Sequence, residues 1–237
     1  MTPHKEQGGA RGSPVIGTLN ERPLHAALKA WVAEEGDRFE VPIHGFVADI
    51  ERGTTLIEIQ TGSASSLKRK LATFLRRHEV RLVLPVAARK TIIHVDADGA
   101  EQARRFSPRR ATAIDAFRQL VSLGELLGDS NLSVDIVLVH EEEVRHATTT
   151  RRWKDFAVGE RRLAEVLGCV SLRHPADYLA VIPASVAEEF TTADLAAAIR
   201  QPRWMAQKVA YVLRTMGVLR VTGKRGNALL YRRDGAA

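Results

Sequence analysis

The chain has 237 residues, 45% of them hydrophobic and 27% charged, a balance that excludes a largely disordered protein and leaves room for one or two folded units. No run approaches the ~20 apolar residues needed to cross a bilayer, the first residues (MTPHKEQGGARGSP) lack an apolar leader core, and one cysteine, Cys169, excludes an internal disulfide framework and a Cys-based zinc cluster. These features lead to the expectation of a cytoplasmic protein with no membrane partner. Lys and Arg together number 35 against 28 Asp and Glu, and the net charge of +7 favours polyanionic partners, nucleic acid first.

Residues 1–18 are rich in Gly, Ser, Pro and charge and read as a tail. A helix is expected from about Glu21, with Pro23 in its first turn and Leu24, Leu28, Trp31 and Val32 as its apolar stripe, ending at Gly36-Asp37. Three strand-like runs follow, RFEVPI, GFVADI and TTLIEIQ, with Arg52-Gly53 as the turn between the last two. The segment SASSLKRKLATFLRRH predicts a helix that buries Leu67, Leu71, Phe74 and Leu75. VRLVLPV has the continuous apolar character of a strand covered on both faces, and KTIIHVD reads as another strand. A helix between strands implies a crossover and a partly parallel sheet.

Further on, SPRRATAIDAFRQLVSLGELL reads as helix, LSVDIVLVH as strand, HEEEVRHATTTRRWKDF as loop or hairpin, and GERRLAEVL as a short helix within a helical connector over 151–187. Cys169, in LGCVSL, is expected to be buried and inert. His25, His44 and His94 are isolated, lack metal-site spacing and read as ordinary surface or core histidines. The fold class is therefore α/β (α+β), a mixed central β-sheet flanked by helices, with a small C-terminal unit.

That unit, residues 188–237, holds nine basic groups against four acidic ones. Thr191 and Asp194 form an acidic variant of a capping box ahead of a short helix, ADLAAAIR. Gln201-Pro202 opens a longer helix with the stripe Met205, Val209, Val212, Leu213 and Met216, stopped by Gly217. VLRVT and ALLYRR then read as strands joined by the basic loop GKRGN. Short helix, turn, longer helix and basic hairpin is the order of a winged helix-turn-helix. Arg203, Gln207, Lys208, Tyr211 and Arg214 are the candidate DNA-reading residues, and Lys224 and Arg225 the candidate phosphate contacts. The competing use of such a module is protein–protein contact.

Asp49 and Glu58 stand out in the N-terminal part. Adjacent antiparallel strands across the turn ERGTT can bring them together. Two close carboxylates repel, and a hard divalent cation removes that cost while activating water and stabilising charge on a phosphate. The alternative places both acids on the solvent face of an amphipathic hairpin.

Helix, Asp at a hairpin, Glu-x-Lys on the next strand, helix and strand is the order of the PD-(D/E)xK nuclease superfamily, which residues 20–96 resemble through Asp49 and Glu58-Ile59-Gln60, with Glu21 as the acid of the first helix. The chain is also similar to a prokaryotic family marked by PLHAALK, LIEIQTG, PRWMAQKVAY and GKRGNALLYR. The nuclease resemblance implies a core over 19–150, Mg²⁺ (or Mn²⁺) held by Asp49 and Glu58, and catalytic roles for Glu21, Asp49, Glu58 and Gln60. Gln60 stands where the superfamily usually has lysine. Lys68 or Lys70 on the following helix is expected to supply that charge, and Ser63 or Thr61 to cap that helix. The implied function is metal-dependent cleavage of double-stranded DNA held by the C-terminal module, for which a homodimer suits two-strand cutting. The alternatives are a non-catalytic DNA-binding protein or regulator on a degenerate nuclease fold, and an interaction scaffold.

Overall fold

In the computed structural model, which describes residues 22–147 and 156–234, Leu24, Leu28 and Val32 form the buried stripe of α1 (Pro23–Val32). Trp31, expected on that stripe, is 43% exposed. Its place toward the interior is taken by Lys29, which is buried and paired with Glu40. The tail 1–18 and Glu21 lie outside the described residues.

Strands β1 (Arg38–Ile43), β2 (Phe46–Arg52) and β3 (Thr55–Ile59) form an antiparallel meander. The β2–β3 turn is Gly53-Thr54, one residue beyond the expected Arg52-Gly53, because Arg52 still pairs with Thr55. Gly53 has φ +59°, the left-handed value required at the first central position of a two-residue type II′ hairpin turn. Arg52 locks the hairpin to the end of α1. Its guanidinium donates to both Asp37 carboxylate oxygens, at 2.8 and 2.7 Å, and to the Val32 carbonyl at 2.8 Å. That arginine holds the Asp37 carboxyl below its ordinary range.

A 3-10 turn at Ala64–Leu67, capped by Ser63, leads into α2 (Lys68–Phe74). The chain then enters β4 (Glu79–Val95), parallel to β3, so the expected crossover is present. VRLVLPV and KTIIHVD are not two strands. They are one 17-residue strand with a register shift between Ala87 and Arg89. β5 (Glu101–Phe106), unmarked by any apolar alternation, pairs with its far half.

Residues 107–127, expected as one helix, are broken into 3-10 turns around the four-residue α3 (Phe117–Leu120). β6 (Leu132–Ala147) lies parallel to β4, and β7 (Phe156–Leu172) lies antiparallel to β6. Among the described residues the sheet order is β1-β2-β3-β4-β6-β7, with β5 beside β4.

Two expectations are corrected here. GERRLAEVL, and with it residues 156–172 of the expected helical connector, is edge strand β7. Cys169 is exposed on that edge rather than buried. Of HEEEVRHATTTRRWKDF, the first eight residues are strand and residues 148–155 lie outside the described set.

One face of the sheet packs α1 against Ile50, Ile57, Ile59, Val83, Val137 and Val139. The other face is continuous with α2, α3 and α4 (Pro175–Leu179) and with the C-terminal elements. These are β8 (Glu189–Phe190), α5 (Thr192–Ala198), α6 (Arg203–Thr215), β9 (Leu219–Arg225) and β10 (Ala228–Arg233), with a small sheet in the order β8-β10-β9. The Thr191–Asp194 capping box is present. Lys224 and Arg225 are strand residues of β9, and the turn itself is Gly226-Asn227.

Candidate functional site

The site forms where β2 and β3 part. Their pairing runs from Arg52↔Thr55 to Ile50↔Ile57. Beyond it, the Asp49 side chain turns between the strands and Oδ2 accepts the Ile59 backbone N–H at 2.7 Å. The same oxygen lies 3.3 Å from His25 Nε2 on α1. His25 therefore belongs to the site, contrary to its reading as an ordinary histidine. It comes from an element 24 residues away in sequence, and only α1 packing on the sheet delivers it.

Glu58 lies opposite Leu82 of β4 and is 1% exposed. Its Oε2 accepts from Lys70 Nζ on α2 at 2.5 Å, while Oε1 is buried with no hydrogen-bond partner. The two acids thus face one another's field and do not lie on an open solvent face. Burial pushes the Glu58 carboxyl up to about 7, and the Asp49 charge adds to that rise while Lys70 opposes it. Burial also works to raise Asp49, but the His25 and Ile59 hydrogen bonds outweigh it and hold Asp49 below its ordinary range. One acid is kept charged and its neighbour titrates near neutrality, the separation that divides roles between paired carboxylates.

The remaining sequence-derived residues divide sharply. Gln60 does not enter the site, because its Nε2 donates to the Ser63 carbonyl at 2.8 Å and closes the loop onto itself. Lys68 is also elsewhere: its Nζ lies 3.7 Å from where a Cβ on Gly124 would stand. Lys70, two residues on, is the cation that reaches Glu58. The α2 face carrying Leu71 and Phe74 faces the core, as does Leu67 of the preceding turn, and Lys70 flanks it with Nζ 5.6 Å from the centre of the Phe74 ring. Glu21 lies outside the described residues.

Asp49 and Glu58 supply the hard oxygen donors that Mg²⁺ or Mn²⁺ takes, since such ions commonly use one or two carboxylates and fill the rest of their shell with water and substrate oxygen. The unpartnered Glu58 Oε1 is the observation that fits a cation. Among the described residues no set of three His, Cys, Asp or Glu converges as a metal cage.

On α6, Arg203, Gln207, Tyr211 and Arg214 are exposed along one face and Lys208 is half-buried. Met205, Val209, Val212 and Leu213 are buried beneath them. Lys224 is exposed, while Arg225 is tied to Asp194 at 3.0 Å, joining the β9–β10 hairpin to the start of α5.

Fold and site define a mixed α+β sheet protein with a buried Glu58 beside a half-buried Asp49, and a lysine and a histidine near the end of β3. A family model described as Domain of unknown function (DUF8091) matches residues 22–173, and the chain belongs to that family. That span contains the whole carboxylate site. An "Uncharacterized protein" from Treponema pallidum (strain Nichols) is 30% identical over 225 residues, covering 92% of this chain and 88% of its own length. No solved structure matches the chain.

Proposed function

We propose that the chain is a metal-dependent phosphodiesterase acting on double-stranded DNA. The observation that carries this reading is Glu58, an almost fully buried acid with one unpartnered oxygen, coupled to a charged Asp49 and within reach of Lys70. Asp49 and Glu58 are the residues that would hold Mg²⁺ or Mn²⁺, which when bound supplies positive charge at the phosphate and an acidified water. His25 and the Ile59 amide fix the Asp49 carboxylate in its ionised form. Lys70, held beside Glu58, would supply the positive charge that Gln60 lacks to a phosphate bound at the acids. The exposed face of α6 and the β9–β10 hairpin grip the duplex in the manner of a winged helix, through Arg203, Gln207, Lys208, Tyr211 and Arg214, with Lys224 and Arg225 on the backbone. A DNA substrate carries the expectation of a cytoplasmic protein.

Purified protein with Mn²⁺ is expected to nick or cut plasmid DNA, and Asp49→Ala to lower the rate at least a hundredfold. Wild-type protein that leaves plasmid and linear duplex intact with either ion would remove the catalytic reading.

The Lys70–Glu58 contact favours a second reading, because it gives the buried acid a partner with no ion present. On that reading the chain binds DNA without cutting it. Duplex binding would then be salt-sensitive and indifferent to Asp49→Ala.

A further inference from the structure

β4 runs on past the end of β3, whose last paired residues are Ile59 and Val83. Beyond that point, Pro85 and Ala87 floor a pocket of about 370 Å³ between β4, β6, β7 and the segment after β5. Four cations line it: Lys90, Arg109, Arg145 and Arg161. Two carboxylates line it with them, Glu141 and Glu143, both buried. Lys90 Nζ stands 2.8 Å from Glu141 and 2.5 Å from Glu143, and Arg145 stands 2.5 Å from Glu143. Arg161 lies 3.6 Å from Glu141, and Arg109 is paired at 3.2 Å with Asp115 just outside the lining, so each cation has a carboxylate partner and four positive charges meet three negative ones. Arg161 also donates to the Thr61 carbonyl at 2.5 Å, in the loop that follows Glu58 and Gln60. That hydrogen bond ties one wall of the pocket to the loop three residues after Glu58.

We propose that this pocket is a second phosphate site, taking a phosphodiester that flanks the one presented to Asp49 and Glu58. The proposal rests on the nucleic-acid reading above. It assigns to the end of the sheet a strand-tracking role separate from that of α6 and the hairpin. An excess of fixed guanidinium and ammonium groups in a half-enclosed polar pocket is what a phosphate group selects.

The test is binding of a fluorescent DNA duplex in EDTA, followed by anisotropy across a salt series, with and without a 5′-phosphate. Arg109→Gln with Arg145→Gln is expected to weaken binding about tenfold and to lower the salt slope by about 1–2. Glu141→Gln is expected to strengthen binding several-fold, an effect a purely structural ion network would not give. Glu142→Gln, which alters a residue paired with Arg104, makes the same change in net charge outside the pocket and is expected to leave binding near wild type. A gain only with the 5′-phosphate assigns the pocket to a strand end, and equal binding assigns it to an internal diester. Wild-type affinity in the double arginine variant, with binding weakened by Lys224→Ala and Arg225→Ala, would overturn the pocket while leaving DNA binding intact. Absence of any binding by the wild-type protein would overturn both.

Discussion

Lys70→Ala is expected to lower DNA cleavage by two to three orders of magnitude, the scale for losing one fixed group that meets developing charge, while Lys68→Ala leaves the rate within a factor of two or so of wild type. The two lysines are near neighbours on one short helix, so the contrast separates position from charge. Lys70 reaches Glu58 at 2.5 Å, and Lys68 is turned toward Gly124. The same substitution has a stability signature. Removing one member of a buried ion pair typically costs about 3–5 kcal/mol because the other charge is left without compensation. Here Glu58 escapes part of that cost by taking up a proton. The loss is therefore expected to be large at pH 8 and small at pH 5, read by urea unfolding of both proteins at each pH. A loss equal at both values would show that Lys70 acts through packing over Phe74 instead of through the acid.

Glu58→Gln should remove the pH dependence that the wild-type acid imposes. Folded-state Glu58 titrates near 7 against an ordinary value of 4.5. Between those values the folded chain holds a proton that the unfolded chain has released, so stability falls as pH rises. The contribution is fully present below about pH 4.5 and lost as pH approaches 7, above which the curve levels. At ~1.4 kcal/mol per pH unit, wild type is expected to lose up to about 3 kcal/mol relative to the glutamine variant across that window. Metal-free unfolding free energies at pH 4.5, 6 and 8 measure it. Parallel curves would mean that Glu58 is an ordinary carboxylate.

Much of this site is legible in the sequence because it depends on local alternation. LIEIQ has the strand period that places Glu58 opposite to Ile57 and Ile59, and a tight turn beginning at Gly53 puts Asp49 beside it. The lysine was legible only as a choice between Lys68 and Lys70. A 3-10 turn at Ala64–Leu67 resets the phase of the helix that follows, so an α-period carried back through Ser65 does not decide between them. His25 was not legible at all, since its place depends on how α1 crosses the sheet.

The larger misreading concerns β7. Leu163, Val166 and Leu167 have i, i+3, i+4 spacing among residues of good helix propensity, and local pattern alone favours helix. In the fold those residues belong to an edge strand, where exposed charges such as Arg162 and Glu165 guard against edge-to-edge pairing. The same edge position exposes Cys169. Trp31, expected on the apolar stripe, is exposed, while Lys29 is buried with Glu40 as its partner.

On the proposed function, Asp49 and Glu58 share one divalent ion. Titration of Mn²⁺ into the metal-free protein, followed by calorimetry without DNA, addresses it directly. One ion bound per chain, with binding at least tenfold weaker in Asp49→Ala, is the expected result. No heat from the wild-type chain, or an affinity unchanged by Asp49→Ala, would contradict it.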